Sequence, residues 1–239
     1  MLNPHLSYPN PNIAYPHRTL PQTMSPAPRL TAALAAIDAA HAEDPTTITI
    51  ADTPIPYELH YAQQMTVFLH RLSPSPPDTL QLAVRAQHLR RWEVPRASYP
   101  MTRPGYFAWR TGLKKRQAEM AVEICLAAGY SAEEAARVGA LVRKEGLKVD
   151  SETQVLEDAA CLVFLDDQFA AFREGVDEGK MVGILRKTWG KMGEGGRRLA
   201  LEMRMDEKCK ALVAEALGGQ PVEERGDVKM DAGGAMKET

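Results

Sequence analysis

An all-α fold, a single helical bundle carried between flexible N- and C-terminal tails, is what the sequence predicts, on three observations. Helical periodicity returns after each turn signal between residues 29 and 217. Only one short β-branched stretch, TTITI at 46–50, departs from it. The densest apolar run, AACLVFL at Ala159–Leu165, lies inside a helical frame and predicts a central buried helix. With 239 residues, 44% apolar and 25% charged, the chain has the composition of one medium soluble domain with tails.

Met1–Pro28 is rich in Pro, Asn, Ser and Tyr and has no helical or strand period. It is expected to be a disordered arm, because it cannot bury enough apolar surface to offset its ordering entropy. His5 and His17 within it are expected to be solvated. The helical domain is read from 29 to 217. Arg29–Ala42 is Ala-rich with Leu30, Leu34 and Ile37 at helical spacing, and Asp44-Pro45 ends it. TTITIADTPIPY reads as an extended connector, since an isolated strand would have no partner. Tyr57–Leu72 is an amphipathic helix with Tyr61, Met65, Phe68, Leu69 and Leu72 on one side, and His60 and His70 do not share a face.

After the PSPPD turn, Asp78 can cap a helix running to about Trp92, with Leu82, Arg85, His88 and Trp92 on one side. Pro95, Pro100 and Pro104 make Glu93–Gly105 a loop. A helix follows over Phe107–Ala128 and stops at Gly129. Ser131-Ala-Glu-Glu is a capping-box start ahead of Ala135, Val138, Leu141 and Val142. Glu152–Phe172, Glu178–Met192 and Arg197–Leu217 complete the helices. The intervening GKMGEGG is not a phosphate loop, because GxxxxGK[ST] is not satisfied and no strand precedes it. From Gly218 the chain is polar and Gly-rich, and a disordered tail over 218–239 is expected.

Several function classes are excluded or weakened. A formal charge of −2 argues against general nucleic-acid or membrane adhesion. No apolar run reaches the roughly 20 residues needed to span a bilayer, and prolines stand where a secretory signal would have its apolar core. Cys125, Cys161 and Cys209 are odd in number, far apart and without a CxxC pair, so they are read as buried, reduced thiols in a cytoplasmic protein.

Charge is nonetheless concentrated in one place. From Arg85 to Arg116 there are nine Lys or Arg residues and a single acid, Glu93, interleaved with Trp92, Tyr99, Tyr106 and Trp109. An Arg and a His among Leu and Trp are costly to bury without partners. Arg forks suit phosphate or carboxylate, and the rings can stack on a base or cover the loop.

The runs RAQHLRRWEVPR, YPMTRPGYFAWR, LVRKEGL and LEDAACLVFL resemble the domain of unknown function 4202 family over about residues 57–200. The order of elements is also similar to the HD-domain phosphohydrolases. In that helical fold a first His, a His-Asp pair and a distant Asp hold a divalent metal whose water attacks a phosphate ester. The resemblance puts His88 at the first His and Asp158 at the last Asp. Gln117-Ala118 stands in place of the His-Asp pair, and Lys144 falls where many members have another His. Gln117 and Lys144 disfavour a divalent cofactor, since an amide is a poor ligand and an ammonium competes with the metal.

The implied protein is an HD-like domain with a degraded metal site that binds a small phosphorylated or nucleotide-like anion. Arg85, Arg96, Arg103, Arg110 and Lys144 would hold the anion, and Trp92 or Tyr106 would stack on any ring. His88 would be the acid/base and Asp158 its orienting partner, with hydrolysis or transfer at phosphate as the reaction class. The alternative is a non-enzymatic protein- or RNA-interaction module that docks through the basic aromatic loop 93–110, its Pro/Tyr-rich arm engaging a protein partner. A third reading has the arginines paired with Glu123, Glu145, Glu157 and Asp158 inside the bundle.

Overall fold

Residues 26–169 and 175–218 are described by the computed structural model, and the fold is helical apart from one hairpin. The expected arm and tail lie outside these residues, except that Pro26–Pro28 form the first turn of α1 and Gly218 the last residue of α9. The elements are α1 (Pro26–His41), β1 (Thr47–Ile50), β2 (Thr53–Pro56), α2 (Tyr57–Leu72), α3 (Asp78–Arg85), α4 (Arg103–Ala127), α5 (Ala132–Arg143), α6 (Ser151–Val163), α7 (Glu178–Lys191), α8 (Glu194–Glu202) and α9 (Glu207–Gly218).

The AACLVFL helix is the axis of the bundle. α6 packs against α2, α3, α5, α7 and α8, and Leu156, Ala159, Leu162 and Val163 are fully buried. It begins with the Asp150 carboxylate accepting the N–H groups of Glu152 and Thr153, and it continues through a widened turn at Phe164–Gln168. α4 and α5 form an antiparallel pair alongside, joined through Gly129 at φ 88°. The α5 start is the expected capping box, with Ser131 and Glu134 bonding each other's backbone N–H. One contiguous core runs from Ala33 in α1 to Ala216 in α9. Among the described residues no helix is long and apolar enough to cross a membrane.

Five segments differ from their expected form. The stretch expected to be a connector is an antiparallel hairpin, because TITI pairs with TPIP from the same stretch, Thr47 opposite Pro56 and Ile50 opposite Thr53. Its two-residue turn has Ala51 and Asp52 at φ 47° and 64°, the positive-φ geometry that matches strand twist. α3 ends at Arg85 rather than Trp92. Nε2 of buried His41 bonds the Arg85 carbonyl at 2.9 Å, the acceptor that Leu89 N–H would need, and His88 and Arg90 turn left-handed at φ 64° and 52°.

α4 begins at Arg103, four residues before the expected start. Thr102 caps Gly105 N–H, and Pro104 sits in the first turn, where a missing N–H costs nothing. The glycines of GKMGEGG are not all loop, since Glu194–Gly196 open α8. The last expected helix is two helices, with Asp206 capping the second at Cys209 N–H. Cys125, Cys161 and Cys209 are all buried, and none is in a disulfide.

Candidate anion-binding site

α5 stops with Lys144 in the left-handed conformation at φ 59°, which turns its side chain back into the bundle. Its ammonium donates to Glu157 Oε2 on α6 at 2.6 Å. Lys191, the last residue of α7, approaches the other carboxylate oxygen at 3.7 Å. Glu157 is 6% exposed, and burial alone would raise its pKa. Lys144, Lys191 and Lys114 outweigh that and hold it below the ordinary carboxylate range.

His88 lies in the turn after α3. Its ring stacks on Tyr61 of α2, centroids 4.3 Å apart and planes 13° from parallel. Arg91 Nη1 is 3.3 Å from His88 Nε2. A guanidinium only donates, so Nε2 accepts and the ring proton resides on Nδ1. Burial, followed by the charges of Arg91, Lys144, His41 and Arg110, pushes the imidazole well below its usual pKa, so it is neutral at physiological pH. Arg91 also lies over the Trp109 ring at 4.8 Å, and Trp109 is fixed by donating to the Val94 carbonyl at 2.8 Å.

α4 supplies the third wall through Arg110, Lys114 and Gln117, spaced i, i+4, i+7 along one face. Arg110 donates to the Tyr106 hydroxyl at 3.3 Å. The half-buried Lys114 amine is pushed below the usual lysine pKa by burial, then by Lys144 and Arg110, with Lys191 adding and only Glu157 opposing. Gln117 is 6% exposed, and its amide nitrogen is buried with no hydrogen-bond partner. Lys144, Lys191 and Lys114 thus share the carboxylate of Glu157, while Arg110 adds positive charge towards Lys114 and Arg91 towards His88. Of these cations Lys114 and Lys144 are partly buried, whereas Arg110 and Lys191 are exposed.

The residues singled out from sequence divide. Lys144 and Arg110 lie in this cluster beside His88. Arg85 is engaged elsewhere, gripping both Asp38 oxygens at 2.6 and 2.7 Å and Thr66 at 3.0 Å, which ties α1, α2 and α3 together. Arg96 folds back on the carbonyls of Tyr99 and Pro100 and shapes the loop. Arg103 lies over Phe107 at 5.8 Å, Trp92 under Arg90 at 5.5 Å, and Tyr106 between Arg96 and Arg110 at 5.9 and 5.7 Å. Asp158 Oδ1 accepts from Gly193 N–H and the Gln154 amide, both at 2.8 Å, so it caps the N-terminus of α8. Burial raises the Asp158 pKa against these bonds. Acids outside the third reading's set receive Arg85, Arg90 and Arg116: Asp38, Glu43 and Glu93.

Sequence reasoning did not assign Arg91, Lys114 or Lys191 to the site. The Arg110–Lys114–Gln117 spacing was the available signal for Lys114, and nothing local marks Lys191 as a partner of Glu157. The positions that the HD resemblance assigns to a metal do not fit one. His88 presents Nε2 to a guanidinium, Asp158 is bound to the start of α8, and Gln117-Ala118 offers no anionic ligand. Among the described residues no group of three His, Cys, Asp or Glu side chains is placed to hold a metal.

A family model described as Domain of unknown function (DUF4202) matches residues 31–213, well over half of the chain, and the chain belongs to that family. No curated protein and no solved structure matches it.

Proposed function

We propose that this DUF4202 protein binds a small phosphorylated ligand without a metal, in the space between the start of α4, the Lys144 turn and α6. The observation that carries the reading is the convergence of Lys144, Lys191 and Lys114 on Glu157, with Arg110 acting on Lys114 and Arg91 set against His88. Arg91 and Arg110 supply planar forks and the lysines point charges, the two donor types that suit phosphoryl oxygens. The unpartnered Gln117 amide adds a neutral donor on the same face of α4.

His88 positions Arg91 in this reading. Its basic nitrogen already accepts from the guanidinium, so binding is favoured over hydrolysis. The docking alternative has fewer free donors to offer, since Arg96 donates to the loop's own carbonyls.

The test is thermal unfolding in chelator against inorganic phosphate, pyrophosphate, sugar phosphates and nucleotides. A ligand bound only to the native state raises the midpoint, by about 2.7 kcal/mol of stability at a hundredfold excess over Kd. The expected result is a rise with at least one phosphorylated compound, lost in Lys144→Ala. A flat response to the whole panel overturns the reading. A response only to RNA, disappearing steeply with salt, would replace it with the docking module.

A further inference from the structure

The hairpin has two strand edges, and they are not equivalent. Thr47 stands opposite Pro56 and Ile50 opposite Thr53, and the Tyr57 N–H donates to the Thr46 carbonyl at 2.8 Å. That bond sets the phase of the ladder. Bonded pairs recur at every second residue of an antiparallel pair, so Ile48–Ile55 and Ile50–Thr53 bond inward. Thr47 and Thr49 on β1, and Pro54 and Pro56 on β2, therefore turn their backbone groups outward. The two prolines have no N–H to offer, which closes the β2 edge to a further strand. On the β1 edge both outward residues keep their donors. Among the described residues neither amide bonds to another element, and Thr47, Thr49 and Ile50 are exposed. It is β2 that leans on α2.

We infer that the β1 edge receives an extended segment of another protein as a third, antiparallel strand. Phosphate binding plays no part in it. Added in that sense, the incoming strand exchanges both N–H···O bonds with Thr47 and both with Thr49. Its residues opposite Ile48 and Ile50 share their face, where β-branched side chains pack best, and threonine suits the positions opposite Thr47 and Thr49. Charge sets the flanks. Residues 42–57 hold Glu43, Asp44 and Asp52 and no Lys or Arg, so a segment with a lysine or arginine at each end is complementary. A second copy of the same strand is not. Pairing Thr47 of one copy with Thr49 of the other would set Asp52 opposite Asp44, like charge against like.

The probe is the acetylated and amidated peptide Lys-Val-Thr-Val-Thr-Lys, titrated into the isotope-labelled full-length protein and followed by amide chemical shifts and hydrogen exchange. The expected result is a saturable shift centred on β1 with a Kd of about 1 mM, and exchange at Thr47 and Thr49 slowed at least about fivefold. Methylating the peptide nitrogen that faces Thr49 removes a donor and crowds the edge, and should abolish the shift. Thr49→Pro should abolish it too, closing β1 as Pro54 closes β2. Because position 49 points outward, that variant keeps the inward ladder and should match the parent in circular dichroism and unfolding midpoint. A flat titration to about 5 mM peptide overturns the proposal. So does a shift that survives methylation of the peptide, or one spread over the helices. Exchange at Thr47 and Thr49 that is slow before any peptide is added also overturns it. If that protection is lost on dilution, a second copy occupies the edge, and if it persists, another segment of this chain does.

Discussion

Two junctions of this bundle are rich in arginine and lysine, and they treat charge in opposite ways. Where α1, α2 and the end of α3 meet, nearly every base has its acid. Arg85 grips Asp38, Arg90 bridges Glu43 and Glu93, Arg116 shares Glu93, and His41 faces Glu58, which also accepts the Trp92 N–H. Where α4, the end of α5 and α6 meet, Lys144, Lys191 and Lys114 converge on the single carboxylate of Glu157. Matched charges hold helices in register and need nothing further. Unmatched positive charge favours an arriving anion, so the phosphate site is proposed at the second junction, with the first as its scaffold.

Substitutions on the two sides separate these roles. Arg85→Ala strands Asp38 and Thr66 and should cost about 2 kcal/mol in urea unfolding, while phosphate affinity stays within about twofold. A large loss of affinity at unchanged stability would erase the distinction between the junctions. Glu157→Gln removes the acid on which the cations converge. The empty protein should lose about 1–2 kcal/mol, because Lys144 and Lys191 no longer have an ion partner, and phosphate should bind more tightly than to the parent protein. Weaker phosphate binding in that variant would mean that Glu157 organises the lysines rather than competing with the ligand. Lys191 is nearly half exposed, so Lys191→Ala should change stability by less than about 0.5 kcal/mol yet weaken phosphate binding about tenfold, or about 1.4 kcal/mol, as read by calorimetric titration.

The contrast between local and distant causes also explains what could be read from sequence. Tyr57–Leu72, the Ser131 capping box and the buried α6 run declare themselves through periodicity and caps, which involve neighbours in the chain. The end of α3 does not, because His41, 44 residues earlier, removes the Arg85 carbonyl from the helix. Likewise the helical state of Glu194–Gly196 depends on Asp158 from α6. A side chain at Gly196 would place Cβ 2.6 Å from the Asp158 carboxyl carbon, so the glycine permits a close approach that a loop-like composition disguises. The hairpin was hidden because its turn uses Ala51-Asp52 where glycine would have announced positive φ.

The structure divides the basic stretch 85–116, and sorting its members required knowing where Asp38 and Glu43 lie. The family resemblance was legible and is shown over residues 31–213.

The smallest expected effect is also the one that ties His88 to this picture. Its folded pKa is depressed, by burial first and then by Arg91, Lys144, His41 and Arg110, while the unfolded chain titrates near 6.5. In the window below 6.5 and above the folded pKa, the unfolded state binds a proton that the native state refuses, so stability rises with pH there and falls as the solution is acidified. Glu58 and Asp158, both pushed up by burial, act in the opposite sense nearer the carboxylate range and blunt the loss at lower pH. The unfolding midpoint should therefore drop modestly between about pH 7.5 and pH 5.5. The drop should shrink in His88→Gln, whose side-chain oxygen can still accept from Arg91. It should also shrink with saturating phosphate, because an anion among the cations makes a charged imidazole less costly. An identical pH slope in the parent, the variant and the phosphate complex would show that His88 lies outside the field of the cluster, and with it the claim that the imidazole and the lysines form one site.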